Sequence, residues 1–265
     1  MSAVEPPIPP SLLVERRADV VWWRLARPDA ANALSGALVD ALRVAVTAVG
    51  SDPSVRAVVL TGSGKAFCAG ADLKERRGFT LDETRAFLDR LGGVVDGVAA
   101  LRCPVVAAIN GAAFGGGLEL AMACDLRVAA DGASMGLVET RLGIIPGAGG
   151  TQRLTRLVGA ARAKEAIFTG RRFDAATARA WGLVSEVVPA AELEATAERL
   201  AVEIAGAAPL AVAAAKVAID GGSALPLEAG LVLERRCYET VLNTEDRNEG
   251  LTAFAEKRAP LFRGQ

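Results

Sequence analysis

Short apolar runs rich in Val alternate along this chain with longer stretches of helical spacing, and that alternation restricts its fold more than any other feature. Asp19–Leu25 (DVVWWRL), Val55–Gly62, Pro104–Ile109, Asp125–Ala129 and Val184–Val188 read as strands, with a shorter apolar run at Leu12–Val14 ahead of the first. Between them, Ser35 can cap a helix running to about Val49, with Leu38, Leu42, Val46 and Val49 in helical register. Further helices are expected from about Leu81 to Ala100, from the Gly115–Gly117 run onward, and in two or three short pieces over Thr151–Trp181. Beyond Ala190 the pattern is almost wholly helical. Strands alternating with helices predict an α/β core with mostly parallel pairing. The helical tail either covers that core or packs subunits together. At 265 residues the chain can be one large domain or a core with an appendage.

Histidine is absent, and this narrows the chemistry. A Ser-His-Asp or Cys-His nucleophile, a histidine base and a histidine-ligated zinc are excluded. Proton transfer near neutral pH falls to carboxylates, lysine, cysteine or the single tyrosine, Tyr238. A net charge of −1 argues against electrostatic capture of polyanions or anionic membranes. No apolar run approaches the ~18 uncharged residues of a membrane span. The opening MSAVEPPIPP lacks the basic and apolar regions of a secretory signal and is expected to form a stiff, solvated arm over residues 1–10. Cys68, Cys103, Cys124 and Cys237 have no CxxC spacing and are expected as reduced core residues of a cytoplasmic protein.

Three stretches carry candidate chemistry. In NGAAFGGGLELAMACDLRVAA (Asn110–Ala130), three glycines precede a helix, where unpartnered N–H groups favour negative charge. Gly116 is a candidate oxyanion donor there, and Glu119 lies one turn later on the same face. On its own, a GGG helix start more often marks close packing. GSGKAFCAGADLKE (Gly62–Glu75) follows a buried strand and could supply a second N–H, or simply connect strand to helix. In MGLVETRLGIIPGAGGTQRL (Met135–Leu154), Glu139 stands among Leu137, Val138, Leu142 and Ile144, where desolvation raises a carboxyl pKa. Alternatively Glu139 pairs with Arg141 or Arg153 on a loop. Thr151 is a plausible cap for the helix that follows.

In this order and spacing the three stretches resemble the crotonase (enoyl-CoA hydratase/isomerase) superfamily, from about Leu12 to Gly264. The resemblance implies a spiral of ββα units over residues 11–200 and a C-terminal helical region, 201–265, that packs homotrimers, usually paired into hexamers. It implies that Ala71 and Gly116 supply two oxyanion-hole N–H groups, and that Ala69, Ala71, Asp72, Leu73 and Lys74 line the CoA side. It gives Glu119 as the water-activating acid/base and Glu139 as the group that protonates the α-carbon. Both glutamates together favour a hydratase over a Δ3,Δ2-enoyl-CoA isomerase, which needs only Glu139. Neither a metal nor another cofactor is implied; the CoA thioester is the substrate.

LKER (Leu73–Arg76), GLVETRLGIIPG and the tail segment TEDRNEGLTAFAEKRAPLFRG are similar to the 3-methylglutaconyl-CoA hydratase branch, whose animal members are also described as RNA binders. Arg141 near an acyl pocket would suit a substrate ending in a carboxylate, and it could equally be a surface ion pair. The RNA-binding relatives are lysine-rich around the first helix, whereas here Ser35–Gly50 carries only Arg43. Nucleic acid is therefore not an expected partner.

Overall fold

The computed structural model describes residues 10–265, so the expected proline-rich arm lies, but for Pro10, outside the described residues. Two sheets organise the core. The larger has the order β1-β2-β3-β5-β7-β10, comprising Leu12–Arg17, Val20–Leu25, Ala57–Gly62, Val105–Ile109, Leu126–Ala130 and Glu186–Val188. The smaller has the order β4-β6-β8-β9, comprising Ala66–Cys68, Ala112–Phe114, Ser134–Gly136 and Phe173–Asp174. Pairing is parallel except for the β1–β2 and β8–β9 pairs. The pairs β3–β4, β5–β6 and β7–β8 each send one strand to the larger sheet and the next to the smaller. This is the expected crotonase-like α/β spiral of ββα units. The smaller sheet was not foreseen, because strands of two or three residues are too short to show a period of two.

The larger sheet is apolar on both sides, as parallel sheets are when covered on both faces. Val20, Trp22, Val59, Val106 and Val128 pack with Leu193, Ala197 and Ala201 of α8 (Leu193–Ala205). Val21, Trp23, Val58, Leu60 and Ile109 face the other way, into the main core. That core is closed by α1 (Gly36–Ser51), α3 (Leu81–Ala99) and α4 (Gly116–Ala123). Ser35 caps α1 as expected, its side chain accepting from Leu38 N. A capping box between Thr80 and Glu83 starts α3. A short helix missed by sequence reasoning, α2 (Leu73–Arg76), joins the two: Asp72 caps it, and its Glu75 accepts from Gly36 N at the start of α1.

After β8 a 3-10 turn, Glu139–Leu142, leads to α5 (Gly150–Val158), α6 (Ala160–Thr169) and α7 (Ala175–Ala180). The cap of α5 is Gly149 at φ +95°, not Thr151, which lies inside the helix. No side chain caps that start; the need there is a left-handed backbone, which glycine supplies most cheaply.

The expected boundary at residue 200 falls inside α8, whose Ala201 and Ala205 are core residues. The break in packing comes after α8. The next helices, α9 (Pro209–Gly222) and α10 (Leu227–Glu239), pack on each other and have no fully buried residue. The last, α11 (Glu245–Glu256), is stitched to the C-terminal residues by Asp246, which accepts from Arg263 N and Gly264 N. Cys68, Cys103 and Cys124 are buried as expected; Cys237, on α10, is only half-buried and belongs to no core. No single helix among the described residues is long and apolar enough to cross a membrane.

Candidate active site

The site lies where the smaller sheet meets the start of α4. Its first component is the strand end Phe67–Asp72. Asn32, itself buried, donates to the Ser63 and Ala66 carbonyls and accepts from Arg27 N, fixing the chain beside it. Leu34 N donates to Gly70 O, and Asp72 N donates to Leu34 O. Ala71 is thus paired with Leu34 on one side, while its own N–H points away with no protein partner among the described residues. Gly70 has φ +95°, and a Cβ there would lie 2.8 Å from the Phe114 carbonyl oxygen, so the two strand ends touch through backbone.

The second component is the start of α4. Gly115, its cap, adopts φ 51° and ψ −127°, a conformation open essentially only to glycine. Gly116 follows as the first helical residue, whose N–H has no partner within the helix. A Cβ built on Gly116 would lie 3.8 Å from Ala71 N. Two free amides from successive turns of the spiral therefore face one small space. Gly117 sits so close to Cys68 that a Cβ would run into the Cys68 carbonyl oxygen. The thiol of Cys68, fully enclosed, is pushed by burial up to about 12 and stays protonated.

Every residue of α4 is buried, which makes Glu119 conspicuous at 2% exposure. Its Oε1 accepts from Ala148 N at 2.8 Å and Gly150 N at 2.7 Å. Its Oε2 has no protein partner among the described residues. Burial pushes its pKa above the ordinary carboxylate value, and the two amides and the charge of Arg153 partly offset that.

Glu139 opens the 3-10 turn and lays its carboxyl against Gly115, where a Cβ would be 3.2 Å from Oε1. Its Oε2 is buried without a hydrogen-bond partner. Burial pushes this group up to about 7; its own backbone N–H opposes the rise and the Glu119 charge adds to it. Neither Arg141 nor Arg153 pairs with it. Arg153 binds Asp96, and Arg141 donates through Nε to Thr169 O at 2.7 Å.

These four groups come together: two unpartnered N–H donors, one carboxylate held by backbone amides, and one carboxyl with a free buried oxygen. An unpaired buried acid with a pKa near neutrality can give and take a proton at working pH. The two N–H groups can stabilise an oxyanion forming between them.

The family model for enoyl-CoA hydratase/isomerase matches residues 15–265. The chain belongs to the enoyl-CoA hydratase/isomerase family. YngF of Bacillus subtilis, a protein of the same hydratase/isomerase class, is 50% identical over 244 residues, covering 91% of this chain and 93% of YngF. Mouse mitochondrial methylglutaconyl-CoA hydratase is 45% identical over 258 residues, covering 96% of this chain and 82% of that protein. The crystal structure of an enoyl-CoA hydratase from Bacillus anthracis is 49% identical, with a TM-score of 0.95 over 96% of this chain and all of that one.

The CoA-side residues have mixed surroundings. Lys74 and Leu73 are exposed at the start of α2 and available to a ligand. Asp72 has its carboxylate engaged, one oxygen capping α2 and the other paired with Arg27 at 2.9 Å. Ala69 N donates to Ala31 O, leaving its carbonyl for contact. Sequence reasoning missed the amides of Ala148 and Gly150 and the contact of Arg153 with the Ala148 carbonyl. The run GAGG carried the only signal for them, since a left-handed glycine often exposes adjacent amides.

Proposed function

We propose that the protein is a 2-enoyl-CoA hydratase, adding water across the 2,3 double bond of an enoyl thioester to give a 3-hydroxyacyl-CoA. The observation that carries this reading is the pair of buried glutamates beside two free backbone amides. The thioester carbonyl oxygen would accept from Ala71 N and Gly116 N. As enolate charge grows on that oxygen, each preorganised donor can contribute ~3–4 kcal/mol. Glu119, oriented by the Ala148 and Gly150 amides, takes a proton from water as its oxygen bonds to C3. Glu139, whose pKa is pushed by burial up to about 7 so that a large share carries its proton near neutrality, delivers that proton to C2. The enolate collapses to the thioester: C3 keeps the hydroxyl left from water, C2 keeps the proton from Glu139, and exchange with solvent returns Glu119 to its ionised form and Glu139 to its protonated one.

An isomerase needs only Glu139, so the backbone-held Glu119 favours hydration. Purified protein should convert crotonyl-CoA to 3-hydroxybutanoyl-CoA; migration of a 3,4 double bond without hydration would favour the isomerase instead.

The finer reading is a substrate with a distal carboxylate, such as 3-methylglutaconyl-CoA. It is supported by Arg141, whose two terminal nitrogens have no partner among the described residues although Nε is tied to Thr169. Arg141→Leu should lower kcat/KM for 3-methylglutaconyl-CoA more than for crotonyl-CoA. Equal losses on the two substrates would make Arg141 a structural clamp on α6.

We also infer a homotrimer or a hexamer of paired trimers. A cleft of about 1300 Å³ separates α9 from the ends of α3, α4 and α5.

A further inference from the structure

We propose that Arg153 is a positioning residue for Glu119, clamping from behind the turn whose amides hold that carboxylate. The proposal rests on the role given to Glu119 above. Around Ala148 the backbone is held at both ends: its N–H donates to Glu119 Oε1 at 2.8 Å, and its carbonyl accepts from Arg153 Nη1 at 3.1 Å. Gly150 supplies the second amide at 2.7 Å. Between them Gly149 lies directly under the guanidinium, where a Cβ would collide with Nη1. The other arm of the fork is fixed, Nη2 donating to Asp96 Oδ1 of α3 at 2.7 Å. One planar cation thus ties α3 to the turn, and the turn ties Glu119 on α4. Lysine offers no such fork, since it is a point charge on a flexible stem.

The charged and titratable groups around Glu119 are few. Arg153 faces it from α5 and lowers its pKa; Asp96 of α3 stands behind Arg153; Glu139 lies across the site; and Cys68 of β4 is a protonated thiol. Removing the Arg153 charge therefore raises the Glu119 pKa. A base that must be ionised then becomes active only at higher pH.

Two reactions separate the clamp from general damage. Hydration of crotonyl-CoA uses both glutamates. Deuterium exchange at C2 of butanoyl-CoA in D2O draws only on Glu139 and the two amides. Arg153→Gln should lower kcat for hydration about 10-fold or more, move the acidic limb of the pH profile upward, and leave exchange within a few-fold of wild type. Arg153→Lys should keep the acidic limb near its original position while still losing kcat, because charge returns without the fork. If folded Arg153→Gln hydrates at the wild-type rate with an unmoved limb, or loses exchange in step with hydration, the proposal is wrong. Should Arg153→Gln fail to fold, Asp96→Asn carries the test, since that side chain is largely exposed. Lowered hydration with intact exchange supports the clamp, and no change in either overturns it. Glu119→Gln serves as the control: if it hydrates normally, the role of Glu119 itself fails, whatever Arg153 does.

Discussion

At the scale of single residues, two glutamates of the same chain are given different work by their surroundings. Glu119 has two amide donors on one oxygen, whereas Glu139 has a buried oxygen with none. The first is suited to hold a water and take its proton, the second to stay protonated and deliver one. Glutamine keeps the shape but cannot exchange that proton, so Glu119→Gln and Glu139→Gln should each lose at least ~100-fold in kcat while still binding CoA ester. A single variant that hydrates within a few-fold of wild type would remove its glutamate from the mechanism. The pH dependence of kcat/KM follows from the same pair. An acid with a pKa of about 7 loses its proton as pH rises, so activity should decline above neutrality. At low pH it should fall as Glu119 is protonated, with a midpoint above the ordinary carboxylate range. The two limbs belong to the coupled pair rather than to either residue alone. A profile flat from pH 6 to 9 would contradict the Glu139 assignment.

At the scale of elements, α4 joins catalysis to packing. Its first amide faces the site while its second glycine is pressed against β4. Gly117→Ala would gain ~1 kcal/mol of helix propensity. Against this, its Cβ would meet the backbone carbonyl of Cys68, which cannot swing aside as a side chain can. Overpacking of this kind costs ~1–3 kcal/mol, so denaturant unfolding should show a net loss of stability. Hydration should also slow, because any shift of Gly117 moves the neighbouring Gly116 amide. Gly116→Ala is the milder change sterically, since its nearest neighbour is the end of the Leu34 side chain at 3.2 Å. A stabilised Gly117→Ala variant would refute this account of the contact.

At the scale of the whole molecule, a well-packed spiral carries a poorly covered tail. Leu225, Leu227 and Leu231 are 45%, 77% and 52% exposed, and Phe254 is 86% exposed. Apolar exposure of that extent, beside an open cleft, calls for a partner surface. Light scattering at micromolar concentration should therefore report about three or six times the 27.3 kDa chain mass; a stable monomer would count against it. The alternation of strands and helices, the cap at Ser35 and the helix at the glycine run were legible in the sequence, because each is local: a period, a side chain next to its own backbone, a run of one residue type. Both glutamates stood out as candidates there, but their roles came from the family resemblance. What the sequence left undecided was everything set by contact between distant segments. Whether Glu139 pairs with an arginine or stays unpartnered, and which amides hold Glu119, depend on how the turn after β8 packs over α4. That Ala71 and Gly116 present their N–H groups to one space follows from the β4–β6 register, which brings successive turns of the spiral into backbone contact. Local preference fixes the elements, but only their close packing brings amides from separate turns within reach of a single oxygen atom.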